Sequence, residues 1–155
     1  MILPLPSALA AFLLIQSIAP EQFFVGHTEG EGRVSVILSG SHTVRAHSRG
    51  WMDRAGALVV EQVVEEEGKP ARRRSWRLVR TGANTIGGTL SDADGPVTGD
   101  VAGNVLHLSY RSNEGPTVEQ WITLNPDRRT AHNRMTFRRF GLGVATLEET
   151  IRRAE

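Results

Sequence analysis

The chain predicts a barrel-like all-β domain, and three observations carry that prediction. Short runs of alternating or β-branched apolar residues recur from Val34 to Ile151. Clusters of Gly, Pro, Asn and Asp cut them at fairly even spacing. After residue 20 no stretch shows the apolar period of an amphipathic helix. Hairpin-length connections favour an antiparallel barrel or sandwich and leave no room for the crossover helices of a parallel sheet. No internal repeat points to a propeller or solenoid.

Length and composition bound the function. A chain of 155 residues is one domain's worth, with enough material for a sizeable core. The net charge of +1 gives no global field for nucleic acid. The absence of cysteine removes disulfides, thiol nucleophiles, thiolate zinc sites and an N-terminal lipid-bearing Cys. Among the 18 basic residues only Lys69 is lysine, a bias expected of a GC-rich bacterial genome because arginine codons are GC-rich.

Residues 1–19 carry no charge, and the apolar run from Ala8 to Ile15 has the length of a signal-peptide core. No basic residue precedes it, and Pro20 follows the small-residue site Ser17-Ile18-Ala19. The segment therefore reads as a signal peptide or as a short apolar helix closing one end of a barrel, with 20–155 as a single β-barrel domain. Export is the favoured reading. It implies a periplasmic or secreted protein; the alternative is cytoplasmic.

The strands follow in order. Val34, Val36 and Leu38 alternate with polar residues, after a Gly-rich stretch that ends at Gly32. A second strand spans His42 to Met52, and Asp53 to Gly56 is a turn. Leu58 to Glu65 is β-branched and ends in carboxylates, and Gly68-Lys69-Pro70 turns it into Arg73 to Arg80. Asn84 to Ala93 and a short segment ending near Ala102 come next, then Val105 to Arg111 after Gly103-Asn104. Thr117 to Leu124, His132 to Phe140 and Val144 to Ile151 complete nine or ten strands. The last has helical propensity, but Ala145, Leu147 and Ile151 share a period-two face interrupted by Glu149, which favours strand.

By Tyr110 the order of residues resembles a family. Phe23-Phe24 with Gly26, Glu61, Arg74 and Trp76 begin the series, followed by Gly88, Asp92, Gly95, Gly99, Gly103-Asn104, Leu106 and Tyr110. Trp121, Asn133-Arg134 and Phe140-Gly141 end it. Together they resemble an uncharacterised bacterial family known as a domain of unknown function, lipocalin-like (calycin-like), with several exported lipoproteins among its members. The resemblance implies an up-and-down barrel of 8–10 strands that binds something apolar or amphipathic. Two features depart from it. Glu119-Gln120 stands where members often place paired aspartates, and the lipid-bearing cysteine is missing.

Gly87, Gly88, Gly95, Gly99 and Gly103 lack the spacing and the strand-to-helix context of a phosphate loop and read as bends of a tightly curved sheet. His27, His42, His47, His107 and His132 have no metal-ligand spacing. Glu61 interrupts an apolar run on the face of Val59 and Val63, where Arg74 or Arg134 can pair with it. It is either a register-fixing ion pair or a polar anchor for a ligand. Parity in Thr117–Leu124 leaves open whether Val118, Gln120, Ile122 and Leu124 or Glu119, Trp121 and Thr123 face inward. The arginine groups at 72–80 and 128–139 read as a solvated face, or as contact with anionic lipid or an acidic partner.

The functional reading is a lipocalin-like carrier or sensor of a small hydrophobic or amphipathic molecule in the bacterial envelope. Candidate ligand-binding residues are Glu61, Arg74, Trp76, Asp92, Tyr110, Glu119, Trp121, Asn133 and Arg134. Trp76, Trp121, Glu61 and Arg134 in particular are expected to line or gate the cavity. Alternatives are a solid-barrel assembly module and, last, a barrel-type cyclase or isomerase using Glu61 or Glu119. No catalytic residue, metal ligand or cofactor is assigned and no nucleic acid is expected. Peripheral membrane contact remains open, as does the oligomeric state.

Overall fold

Strand alternation and hairpin turns combine into a closed barrel in the computed structural model, which describes residues 19–154. The signal-peptide expectation for residues 1–19 therefore falls almost wholly outside the described residues. A 3₁₀ turn, Pro20–Phe24, leads into ten strands. They are β1 (Gly26–Val36), β2 (Gly40–Met52), β3 (Leu58–Glu66), β4 (Arg72–Arg80), β5 (Thr85–Leu90), β6 (Val97–Ala102), β7 (Val105–Arg111), β8 (Thr117–Leu124), β9 (Thr130–Arg139) and β10 (Leu142–Ala154). Each strand pairs antiparallel with the next, and β10 returns to pair with β1, so no edge is left open.

Most boundaries match the sequence reading, and β10 is strand rather than helix. One segment differs. The glycine-rich stretch is itself the first strand, from Gly26 to Val36, and Leu38 lies beyond it in the β1–β2 turn, fully exposed at φ 61°. Val34 and Val36 supply the alternation, but backbone pairing with β2 and β10 on both sides extends the strand through residues of low β propensity. At Gly99, in the middle of the bent region, a β-carbon would lie 2.0 Å from the His107 carbonyl oxygen. Close strand approach, rather than a ligand phosphate, accounts for that glycine.

The two ends differ. At one, the 3₁₀ turn packs Phe23 and Phe24 across the barrel, their rings edge-to-face with centroids 5.3 Å apart. Arg80 pins this plug, donating from Nη2 to Glu21 Oε2 at 3.1 Å and from Nε to Oε1 at 2.5 Å. Gly50 gives the plug its room, because a β-carbon there would fall 1.9 Å from the Phe24 carbonyl oxygen. The opposite end, formed by the β1–β2, β3–β4, β5–β6, β7–β8 and β9–β10 hairpins, carries the mouth.

Candidate functional site

Inward-facing side chains leave a cavity of about 470 Å³ that runs from Phe24 up to the open rim. Its walls are mostly aliphatic, with Val60, Leu78, Leu108 and Met135 among them. Two polar groups interrupt the walls.

The first group lies beneath the mouth. The Arg74 guanidinium is almost fully enclosed, with Nε 2.8 Å from Asp92 Oδ2 in an ion pair that falls short of a linear hydrogen bond. Its Nη2 donates to the Tyr110 hydroxyl at 3.3 Å, and its plane lies over the Trp76 ring at 5.1 Å. Trp76 and Tyr110 meet edge-to-face, and the indole Nε1 donates to Gln62 Oε1 at 2.8 Å. Gln62 in turn donates to Ser48 Oγ at 2.9 Å. Burial pushes the Tyr110 hydroxyl up, with Arg74 pulling the other way. Asp92 Oδ1 is buried without a donor.

The second group crosses β8, β9 and β10. The Gln120 amide donates to Asn133 Oδ1 at 3.0 Å, and the Asn133 amide donates to Glu149 Oε1 at 3.3 Å. All three are buried. Gln120 Oε1 is left with no donor. Burial pushes the Glu149 carboxyl up, against the opposing pull of the Asn133 hydrogen bond and the Arg74 charge. Space for this carboxyl comes from Gly30 on β1, whose β-carbon would fall 2.7 Å from it.

At the rim Glu66 has three hydrogen-bonding partners: the His42 imidazole at 2.6 Å and the cations Lys69 at 3.1 Å and Arg72 at 3.0 Å. Burial pushes its carboxyl up, but the hydrogen bonds from His42, Lys69 and Arg72 outweigh it and hold it down to about 2.

Of the sequence candidates, Arg74, Trp76, Asp92, Tyr110 and Asn133 line this cavity. Four do not. Glu61 faces solvent, because Val60, Gln62 and Val64 take the inward parity of β3. Its register partners are Arg49 and Ser75, not Arg74 or Arg134. Glu119 and Trp121 lie outside for the same reason, with Val118, Gln120, Ile122 and Leu124 inward. There Trp121 stacks on His107 at 5.1 Å, and His107 bridges Asp100 and Glu119. Burial draws the His107 imidazole down, but its two carboxylate partners outweigh that and hold it above its usual value. Arg134 is exposed and lies 3.5 Å from Glu148. Sequence reasoning missed Gln62, Gln120 and Glu149. Glu149 was visible as the break in the Leu147–Ile151 face. Gln62 follows once Trp76 is placed inside, since Val60 pairs directly with Trp76 and Gln62 with Arg74.

A comparison with curated proteins returned no sequence match. Among solved structures, the S-type phycobiliprotein lyase CPES from Guillardia theta superposes with a TM-score of 0.70 at 11% identity, over 89% of this chain and 94% of that one. At that identity the likeness speaks for the fold, an antiparallel lipocalin-like barrel. The sequence profile described as "Protein of unknown function (DUF3833)" matches residues 15–153, and the chain belongs to that family.

Proposed function

We propose that the barrel binds one small amphipathic molecule, entering through the open rim. The observation that carries this reading is a continuous cavity of about 470 Å³, within the size range of small-molecule sites. A solid interaction module would have filled that space with side chains. Burial against the aliphatic wall would supply affinity at roughly 25 cal/mol per Å² of apolar surface. The polar groups select the rest of the molecule. Gln120 Oε1 and Asp92 Oδ1 are buried acceptors in want of a donor, so the favoured ligand carries an N–H or O–H group on an otherwise apolar frame. The apolar run of residues 8–15, of signal-peptide length, supports a bacterial-envelope setting.

Native mass spectrometry of the protein from its host, with titration of tryptophan fluorescence by anilinonaphthalene sulfonate, tests this. Trp76 is the tryptophan that lines the cavity. Probe binding should quench it, and Ala46→Phe, which fills the cavity wall, should abolish binding while the barrel stays folded. A probe that binds the Ala46→Phe protein equally well would place its site elsewhere.

A second reading, proton transfer to the bound molecule, is favoured by the buried Glu149 carboxyl held above its usual value. Recovery of the bound molecule chemically unchanged from both wild type and Glu149→Gln would reject it.

A further inference from the structure

The exposed large apolar side chains of the described residues are not scattered. Four of the five stand on two neighbouring hairpins at the mouth: Ile37 and Leu38 between β1 and β2, Phe140 between β9 and β10, and Leu142 at the start of β10. Only Met52 lies at the plugged end. The two hairpins are adjacent because β1 pairs with β10, and Ile37 N–H donates to the Val144 carbonyl at 3.0 Å. Leu38 and Phe140 are completely exposed. Both also sit at positive φ, 61° and 50°, a conformation that ordinarily falls to Gly, Asn or Asp. Two apolar tips held in strained backbone with nothing to pack against do not help the fold. Backbone strain of this kind gathers at functional surfaces.

The charges beside the tips point one way. Arg138 and Arg139 end β9 immediately before Phe140, and with Arg111 they enclose a notch of about 280 Å³ together with Phe140. Arg139 donates to the Glu114 main-chain carbonyl at 2.9 Å. Among the described residues none of Arg111, Arg138 and Arg139 forms a salt bridge. On the β3–β4 hairpin, which adjoins β1–β2, the charges are spent on one another around Glu66, and the β5–β6 loop across the rim carries Asp92 and Asp94.

We infer that this sector of the rim docks on an anionic lipid bilayer, with Leu38 and Phe140 dipping into the interface and the arginines on the headgroup phosphates. Geometry favours a bilayer over a protein partner. The apolar groups are two projecting fingertips, not a flat patch. A strand rises about 3.3 Å per residue, which sets Arg139 and Arg138 about 3–7 Å behind the Phe140 tip. That matches the shallow depth, about 5–10 Å, to which interfacial apolar groups sink below phosphates. The inference concerns the rim alone and holds whether or not the cavity is loaded.

Vesicle co-sedimentation and dynamic light scattering test it on the whole chain. Vesicles of phosphatidylcholine alone are compared with an equal mixture of phosphatidylcholine and phosphatidylglycerol. Wild type should bind the mixed vesicles at least tenfold more tightly than the neutral ones. Leu38→Asp with Phe140→Asp should remove that binding. Arg138→Ser and Arg139→Ser should each weaken it about fivefold, the effect of one basic residue near an anionic surface. Met52→Asp, at the plugged end, should change nothing. These side chains are solvent-exposed, and an unchanged circular dichroism spectrum checks the fold of each variant. Equal affinity for both vesicle types, or no binding to either, would overturn the inference. So would a concentration-dependent dimer that Leu38→Asp abolishes, since a second copy would then be what covers the tips. Probe binding in the cavity that persists in the rim variants separates this result from the fate of the cavity reading.

Discussion

Gly30 on β1 and Glu149 on β10 divide one volume between them: a β-carbon at residue 30 would stand 2.7 Å from the Glu149 carboxyl carbon. The obstacle is the end of a flexible side chain. Gly30→Ala should therefore cost under about 1 kcal/mol in a denaturant titration while weakening probe binding, because the carboxyl must swing aside. Gly32→Ala is the contrast. Its β-carbon would meet the Glu148 carbonyl oxygen at 2.2 Å, and that oxygen is backbone. The expected cost is about 1–3 kcal/mol.

Glu149 makes stability depend on pH. Burial holds its folded carboxyl above the ordinary 4.5, so between that value and the folded one the native state keeps a proton that the unfolded chain has lost. Its contribution is full below 4.5 and is lost as pH rises through the folded value. Glu149→Gln should flatten this alkaline-going decline, read as the pH profile of the urea midpoint.

Glu66 acts with the opposite sign. Its folded carboxyl titrates at about 2 against an ordinary 4.5, so its contribution is present above 4.5 and is lost as pH falls toward 2. Lys69 and Arg72 are themselves well exposed, so screening reduces the gain to about 1–2 kcal/mol. Glu66→Gln should raise the midpoint of acid unfolding and remove part of the stability at neutral pH.

Arg74 holds Asp92, Tyr110 and the Trp76 face at once. Arg74→Met should cost about 2 kcal/mol, most of it from the half-buried Asp92 carboxylate left alone. Adding Asp92→Leu should return part of that loss. A double-mutant cycle by chemical denaturation measures the coupling, and a coupling near zero would show that the pair does not act as a unit.

The strands and the location of the turns were legible because each rests on local chemistry, whereas barrel closure, which pairs β1 with β10 at opposite ends of the chain, was implied by the family resemblance. Asp53, for example, accepts the Ala55 and Ala57 N–H groups, both at 2.9 Å, as its turn signal implies. Parity was harder to read. In β3 both faces are β-branched, and only the pairing of Val60 with Trp76 decides that Gln62 looks inward and Glu61 outward. In β8 the bulkier Trp121 drew attention to the wrong face, because stacking on His107 outside the barrel buries enough of the ring to satisfy it. The polar ladder from Gln120 to Glu149 joins residues 29 positions apart through Asn133, a link that only the closed sheet creates.

Pairing of β1 with β10 brings His27 beside Ala154, at the plugged end. Ala19, before the plug, and Ala154 thus both stand at the base of the cup, opposite its lip. A linker, fusion or immobilising tag at either place leaves the lip unobstructed. If such an attachment holds the protein to a surface, the cup opens away from that surface and toward whatever faces it across the gap.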